Sequence, residues 1–267
     1  MSSETARLVI IGGGNMGTAL VGGLVASGWE ATSIAVVEVD AAKRAALESE
    51  FGVQTSDAIV AADGALVAVK PGDVAAVCRD LASMGISRVL SIAAGISLAT
   101  LQSAAGSSVA VVRAMPNTPA LVREGVTAIC GSSNCSEEDY EWAESVLSAV
   151  GVVVRVPESQ MDAVTAVAGS GPGYIFLMAE AMLDAARAEG LPDDVANVLV
   201  RQLFRGAGVL LAESEESPAT LRERVTSPNG TTAAGLAQFE AAGLRETVNK
   251  VVRAAAARSA EMGAASK

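Results

Sequence analysis

The sequence contains no histidine, only three cysteines and few aromatic residues. Without histidine, a Ser-His-Asp triad, a His-ligated zinc site and imidazole acid–base catalysis are all excluded. The cysteines, Cys78, Cys130 and Cys135, show no CxxC spacing, and an odd count argues against a disulfide framework. We therefore expect reduced thiols and no metal site, with a core built mainly from Ala, Val, Leu and Ile.

Basic residues are also scarce relative to acidic ones, and the formal net charge is −11. This charge repels nucleic acid, and the chain has no basic stripe with interleaved aromatic residues. The N-terminus has no basic region typical of a signal peptide, and no uncharged apolar stretch reaches the roughly 18 residues of a membrane helix. We expect a soluble, cytoplasmic protein with no nucleic-acid or membrane partner.

The pattern of apolar residues divides the chain into two parts. Up to about residue 156, short β-rich runs alternate with Ala-rich helical runs, which predicts a Rossmann-type parallel sheet covered by helices on both faces. The predicted strands are 7–11, 33–37, 65–69, 88–92, 109–113, 126–129 and 152–156. After Pro157 only helices are predicted, at 162–190, 192–214, 218–224 and 231–262. The fold class is thus α/β followed by an all-α part, with predicted domains 1–160 and 161–267.

A glycine-rich segment directly follows the first predicted strand and opens the first helix. Gly12, Gly14 and Gly17 satisfy the G-x-G-x-x-G pattern, and Asn15 and Met16 lie between its last two glycines. The first glycine permits a tight turn, the second close approach to a pyrophosphate, and the third close packing of helix on strand. The pattern predicts a dinucleotide site, and the alternative is a purely structural glycine turn.

The end of the second predicted strand carries charges of both signs. Glu38 or Asp40 could accept a hydrogen bond from a ribose 2′-hydroxyl, which would favour NADH over NADPH. Lys43 and Arg44 follow one turn later and could bind a 2′-phosphate instead. A solvated helix start with acidic residues is the third interpretation. The choice between NADPH and NADH stays open at this point.

Two further segments follow predicted parallel strands, where ligands bind in open α/β sheets. The segments are Val69-Lys70-Pro71 and 113–119, the latter including Pro116. Both are expected beside the nicotinamide, and their prolines stop the strands and stiffen the loops. Lys70 could contact a phosphate or ribose, or be solvated.

Near the other end of the chain, a turn precedes the last predicted helix. Pro228 fixes φ, Asn229-Gly230 tolerates positive φ, and Thr231 and Thr232 stand where a helix can begin. Free backbone N–H groups and two hydroxyls would then point at one place, which suits a small carboxylate. The alternative is an ordinary helix start after a turn.

Several segments together resemble the pyrroline-5-carboxylate reductase family, in order and at matching spacing, over residues 7 to about 262. They read IGGGNMG, VAVKPGDV, SIAAGIS, VRAMPNTPALVREG, VPESQMDAVTAVAGSGPGYIF and VTSPNGTTAAGL. The resemblance implies reduction of the C=N bond of Δ1-pyrroline-5-carboxylate to L-proline, with NADPH or NADH. It also implies a Rossmann domain and a helical domain that forms a homodimer, with possible assembly into a decamer.

The resemblance also assigns site residues. It places the cofactor on Gly12–Gly17, Val69, Lys70, Pro71 and Ala114, and the substrate loop on Ser227, Gly230, Thr231 and Thr232. Asn229 and Ser170 are further expected substrate-binding residues. Thr232 matches the threonine proposed to hydrogen-bond the imine nitrogen and is the expected catalytic residue. The chain departs from the family at Asn229, where Gly is common, and at Gly173, where Ala is common.

Two other functions are compatible with part of the sequence. A β-hydroxyacid dehydrogenase or related imine reductase shares the fold plan, but those dehydrogenases use a lysine of the second domain, and no lysine lies between Lys70 and Lys250. A non-catalytic nucleotide sensor would keep the glycine turn and could lose Thr231 and Thr232. Reduction of a protonated imine needs no histidine, which favours the reductase.

Overall fold

The computed structural model describes residues 6–265 and divides into two units. The first unit takes in the chain up to Ser170 together with the segment from Ala255 onward, and the second unit is Gly171–Ala254. Residues 161–170 thus group with the first unit, while the domain boundary proposed at residue 160 stays a prediction. The segment from Ala255 is tied to the first unit by the Ser259 hydroxyl, which donates to Asp162 Oδ1 at 2.7 Å.

Within the described residues, one eight-stranded sheet runs through the first unit in the order β3-β2-β1-β4-β5-β6-β7-β8. The strands are β1 Leu8–Ile11, β2 Ile34–Val37, β3 Gln54–Ser56, β4 Ala65–Val67, β5 Arg88–Ser91, β6 Ala110–Met115, β7 Gly125–Gly131 and β8 Gly151–Arg155. The first six strands have the order 3-2-1-4-5-6 of dinucleotide-binding folds. The predicted Rossmann-type sheet is therefore confirmed, with small shifts at the strand ends.

One pair of strands departs from the predicted parallel arrangement. β6 and β7 run antiparallel, with Met115 opposite Ala128. The connection between them, residues 116–124, is too short for the crossover of a dozen or more residues that a parallel pair needs. β3 was not predicted, because its three residues, Gln54 to Ser56, are polar and partly exposed.

Helices cover both faces of the sheet, so each inner strand is buried on both sides. Along β1, Leu8 and Ile10 belong to the hydrophobic cluster of one face, and Val9 and Ile11 to that of the other. This alternation explains why the strand reads as an unbroken apolar run. The helices of the first unit are α1 Asn15–Ala26, α2 Ala41–Phe51, α3 Val74–Ser83, α4 Leu98–Ala105, α5 Glu137–Leu147 and α6 Met161–Val164, which a π-helical segment, Thr165–Gly169, continues.

The second unit contains helices only. They are α7 Gly171–Ala188, α8 Asp193–Glu213, α9 Pro218–Arg224, α10 Thr231–Ala241 and α11 Leu244–Ala265, whose last residues belong to the first unit. The prediction of one helix over 231–262 is wrong, because Gly243 with φ of 70° separates α10 from α11. The helical stretch predicted over 162–190 is interrupted by the π-helical segment.

Many apolar side chains of the second unit are exposed, among them Phe176, which is 66% exposed. By length and composition alone, two helical stretches of the described chain, Glu158–Ala188 and Asp193–Glu213, could cross a membrane. Few of the residues in either stretch are buried within the chain. The second unit thus carries apolar surface that its own fold leaves uncovered.

The first turn of α5 provides a test of local stability. Ser136 Oγ accepts a hydrogen bond from the Asp139 N–H, and the Asp139 carboxylate accepts one from the Ser136 N–H, which is a reciprocal capping box. We expect Ser136→Ala to lower the free energy of unfolding by about 1 kcal/mol, the usual loss for such a cap. Urea denaturation followed by circular dichroism measures the change.

Ser145→Ala is the matched control, because Ser145 is an exposed residue inside the same helix. Alanine has the higher helix propensity, so this control should leave stability unchanged or raise it by a few tenths of a kcal/mol. Equal destabilisation by both substitutions would contradict the capping role.

Candidate active site

The turn between β1 and α1 lies against the end of β4. Gly12 has φ of 109°, and a Cβ there would lie 2.6 Å from the Ala68 carbonyl oxygen. A Cβ on Gly17 would collide with the Gly12 carbonyl oxygen. Both glycines are therefore required by close backbone approach and not only by turn conformation. The order of strands reverses between β1 and β4, and open α/β sheets bind ligands at such a point.

A cleft of about 740 Å³ opens beside this turn. Five of the predicted cofactor residues line it: Gly12, Gly14, Glu38, Val69 and Lys70. Gly14 is the N-cap of α1 and has no side chain to occupy the helix N-terminus, and among the described atoms none lies within 4 Å of a Cβ built on it. The N-terminal N–H groups of α1 are thus accessible to an anion such as a diphosphate.

The other predicted cofactor residues are not side-chain contacts of this cleft. Asn15 lines a separate groove of about 470 Å³ together with Arg123, and Met16 packs against the hydrophobic core. Ala114 and Pro116 are buried, Ala114 within the core, so they could contact a cofactor only through their main chain. Pro71 begins a 3₁₀ turn after Lys70.

The carboxylate of Glu38 contacts the glycine turn directly. Its Oε2 accepts a hydrogen bond from the Gly13 N–H at 3.0 Å, and its Oε1 accepts one from the Asp40 N–H at 3.0 Å. Asp40, the alternative ribose ligand, instead caps α2, because its Oδ1 accepts from the N–H of Ala42 at 2.8 Å. Of these two acidic residues, Glu38 is therefore the one that the structure places at the cleft.

The cation of Arg44 is held by the main chain after β2. Its Nη1 donates to the carbonyl oxygens of Glu38 at 2.7 Å and Val39 at 3.0 Å. Lys43 lines the cleft and is exposed. These contacts separate the two cations that sequence analysis treated alike.

Asn117 has a structural role that sequence analysis missed. Its Nδ2 donates to the carbonyl oxygen of Ala168 at 3.2 Å, and its Oδ1 accepts from the Val126 N–H at 3.0 Å. The buried amide thus joins the loop after β6 to the π-helical segment that precedes Ser170. A lone Asn in a Pro-flanked loop was the only sequence signal, and π-helical segments often occur at functional sites.

An ion pair between buried Arg113 and partly exposed Glu158 was also missed. Arg113 on β6 contacts Glu158, with 3.1 Å between Nη1 and Oε1, and the same oxygen accepts from the Leu98 N–H at 2.6 Å. Glu158 therefore neutralises a buried guanidinium and caps α4. The pairing joins residues 45 positions apart, which spacing along the sequence cannot indicate.

The predicted carboxylate-binding turn lies in the second unit. The Gly230 N–H donates to the Ser227 carbonyl oxygen at 3.1 Å, and Asn229 between them has φ of 60°. Pro at the second and positive φ at the third position are features of a type II turn. Gly230 is the N-cap of α10, and a Cβ there would collide with the Ser227 hydroxyl oxygen.

Beyond this cap the helix begins with exposed hydroxyl groups. Thr231 and Thr232 occupy the first two positions of α10 and are both exposed. The next backbone hydrogen bond runs from the Ala234 N–H to the Gly230 carbonyl oxygen at 3.1 Å. Because Gly230 has no side chain to cap the helix, the N–H groups of its first turn are left for a ligand or for water. The structure thus brings the five predicted residues of this loop together.

Two of the three cysteines are unsuited to thiolate chemistry. Burial raises the pKa of Cys78 and of Cys130 to about 11, so both thiols stay protonated at neutral pH. Among the described residues no three His, Cys, Asp or Glu side chains gather as a metal site would require. The polar groups available to chemistry are therefore hydroxyls, main-chain N–H groups and a few charged side chains.

Comparison with family models identifies both parts of the chain. Residues 158–262 match the model described as pyrroline-5-carboxylate reductase dimerisation. Residues 7–95 match a model described as NADP oxidoreductase, coenzyme F420-dependent. The two matches correspond to the helical part and to the cleft-bearing part of the sheet.

Proteins similar over the full length agree with these models. The chain is 42% identical to a pyrroline-5-carboxylate reductase of Pseudomonas aeruginosa, with 97% of each chain covered. The solved reductase of Coxiella burnetii has a TM-score of 0.92 at 36% identity, covering 97% of this chain and 99% of that one. The Plasmodium falciparum reductase, solved with NADP bound, has a TM-score of 0.83 at 26% identity, covering 98% and 99%. The chain belongs to the pyrroline-5-carboxylate reductase family.

Proposed function

We propose that the protein reduces the C=N bond of Δ1-pyrroline-5-carboxylate to L-proline, with NADPH or NADH as the reductant. Full-length similarity to a reductase at 42% identity is the observation that carries this function. The reaction adds a hydride to the imine carbon and a proton to the nitrogen. It therefore needs a dinucleotide site, a holder for the carboxylate and a hydrogen-bonding group at the nitrogen.

The cleft beside Gly12 and Gly14 supplies the residues for a dinucleotide. The N-terminal N–H groups of α1 would bind the diphosphate, and Lys70, which lines the same cleft, would add a positive charge. A reduced nicotinamide supplies the hydride when bound. The chain's own part is to hold the cofactor by its phosphates and to fix its position, which supports catalysis by orientation.

The turn Ser227–Thr232 would hold the imine substrate. Main-chain N–H groups from Asn229 to Thr232 would bind the carboxylate, since an anion is favoured at a helix N-terminus. The Thr232 hydroxyl would hydrogen-bond the ring nitrogen and orient it, because a hydroxyl can both donate and accept. Ser170, beside the π-helical segment of the first unit, is proposed as a further substrate contact.

We also propose a homodimer formed through the second unit, with assembly to a decamer open to test. The exposed apolar side chains of α7 and α8 would be covered by a second copy of the chain, which removes them from water. A dimer interface would also account for the two helical stretches that are apolar enough to cross a membrane. We therefore propose a cytoplasmic location and no membrane partner. The dimerisation model that matches residues 158–262 supports this choice.

The function is tested by mixing the purified protein with Δ1-pyrroline-5-carboxylate and NADPH or NADH. We expect the absorbance of the reduced nicotinamide to fall, with one molecule of L-proline formed for each cofactor molecule oxidised. Folded protein that consumes neither cofactor would contradict the proposal.

Replacement of Thr232 tests the group at the ring nitrogen. We expect Thr232→Ala to lower kcat on the order of 10²-fold, the size of a lost hydrogen bond to a reacting centre. Thr232→Ser should retain most of the activity, because it keeps the hydroxyl. The measurement is steady-state kinetics with both substrates varied.

Thr247→Ala is the matched control, since Thr247 is an exposed threonine elsewhere in the helical region. It should leave kcat unchanged. If Thr232→Ala retained both kcat and KM, the role assigned to Thr232 would be wrong.

Charge placed on the apolar helical surface tests the dimer. We expect Phe176→Glu to convert the dimer to a monomer, because Phe176 is 66% exposed in the single chain and a buried unpaired carboxylate is strongly unfavourable. Sedimentation velocity measures the change in mass. Met84→Glu, an exposed apolar position of the first unit, should leave the oligomer intact, and an unaltered oligomer for Phe176→Glu would exclude this surface as the interface.

A further inference from the structure

We infer that Glu38 makes the cleft select NADH over NADPH, by binding a free ribose 2′-hydroxyl and repelling a 2′-phosphate. The inference rests on the proposed function, because it concerns the cofactor of the same reaction. Sequence analysis left three interpretations of the charges after β2. The contacts of Glu38, Asp40 and Arg44 separate them.

The position of the Glu38 carboxylate carries the inference. Oε2 lies 3.0 Å from the Gly13 nitrogen, inside the glycine turn, and would lie 3.3 Å from a Cβ built on Gly13. The side chain also lines the cleft with Gly12 and Gly14. In a dinucleotide fold, an acidic group at the end of β2 stands where the adenosine ribose binds. The negative charge therefore lies where that ribose would bind.

The bonding of this carboxylate limits what it can recognise. Each oxygen accepts one main-chain N–H, from Gly13 and from Asp40, which fixes the group in place. An ionised carboxylate can only accept hydrogen bonds, so its remaining lone pairs suit the hydroxyls of a ribose. A 2′-phosphate has no proton to offer when fully ionised and carries roughly −1.5 to −2 charges at neutral pH. Its oxygens would face the Glu38 charge.

The surrounding charges do not offset this repulsion. Among the described residues, the cleft is lined by the acidic side chains Glu38, Asp57, Asp73 and Asp80 against the basic Lys43 and Lys70. Arg44, the other candidate, already donates through Nη1 to two main-chain carbonyl oxygens. The diphosphate is offset by the N–H groups of the α1 N-terminus, whereas an additional phosphate beside Glu38 would meet this excess of negative charge.

A preference for NADH would distinguish this chain from a similar protein that was solved with NADP bound. The Plasmodium falciparum structure holds NADP, and it is 26% identical to this chain. Cofactor choice depends on a few side chains after β2, so overall similarity in fold does not fix it. Glu38 is the side chain at that place in this protein.

The test compares binding of NADH and NADPH to the full-length protein without imine, by isothermal titration calorimetry. We expect the wild-type protein to bind NADH about tenfold or more tightly, which corresponds to ~1.4 kcal/mol. Glu38→Gln removes the charge at nearly constant shape and keeps one accepting oxygen of the two, and it should reduce the NADH preference about tenfold, chiefly by strengthening NADPH binding. Ratios of kcat/KM for the two cofactors should follow the same order.

Glu50→Gln is the matched control, because it makes the same change at an exposed position of α2. It should leave the ratio of the two affinities as in the wild type. A second variant, Val39→Arg, adds a cation at an exposed residue of the cleft and leaves Glu38 in place. We expect it to strengthen NADPH binding several-fold, and it keeps the test valid if Glu38→Gln does not fold.

Tighter binding of NADPH by the wild type, or an unchanged ratio in both Glu38→Gln and Val39→Arg, would overturn the inference. These outcomes differ from failure of the proposed function. A protein that binds NADH selectively and does not reduce the imine would retain the inference and lose the function. A folded protein that binds neither cofactor would lose both.

Discussion

Close approach of two main-chain segments is the constraint on which the rest of this structure depends. The turn after β1 packs so near to the end of β4 that Gly12 leaves no room for a Cβ, and α1 packs so near to the Gly12 carbonyl that Gly17 leaves none. That packing directs the N-terminus of α1 toward the cleft and brings the end of β2 beside the same turn. Without it, neither the helix N-terminus nor Glu38 would face a common ligand. The absence of a side chain at Gly12 and at Gly17 therefore determines where a charged ligand can bind.

The chemistry that follows uses weak groups in fixed positions. The chain has no histidine, and the thiols of Cys78 and Cys130 stay protonated because burial raises their pKa to about 11. What the structure offers is N–H groups at two helix N-termini and the hydroxyls of Thr231 and Thr232. Such groups suit a reaction whose substrate can arrive protonated, and rate then comes from orientation more than from acid strength. The family assignment agrees with this inventory.

Local signals predicted most of the fold and the conformation of the two turns that carry candidate site residues. The glycine turn and the segment Ser227–Thr232 were found because turn conformation and helix starts are encoded by neighbouring residues. Features that depend on partners distant in sequence were missed, such as the Asn117 amide between β7 and the π-helical segment. The antiparallel β6–β7 pair was missed for a different reason: only the length of the connecting loop indicates its direction. Similarly, the role proposed for Glu38 depends on which N–H groups its oxygens reach.

The hydrogen bond between Ser259 and Asp162 joins the end of the last helix to the unit that begins the chain. During synthesis the sheet strands leave the ribosome before the second unit, whereas this piece of their unit is made after it. N-terminal domains generally fold as they emerge, whereas here completion must wait until the second unit has been made. The order of translation and the order of assembly therefore differ. Translation that terminated early in α11 would release a chain that has all its cleft residues but lacks the last segment of its first unit.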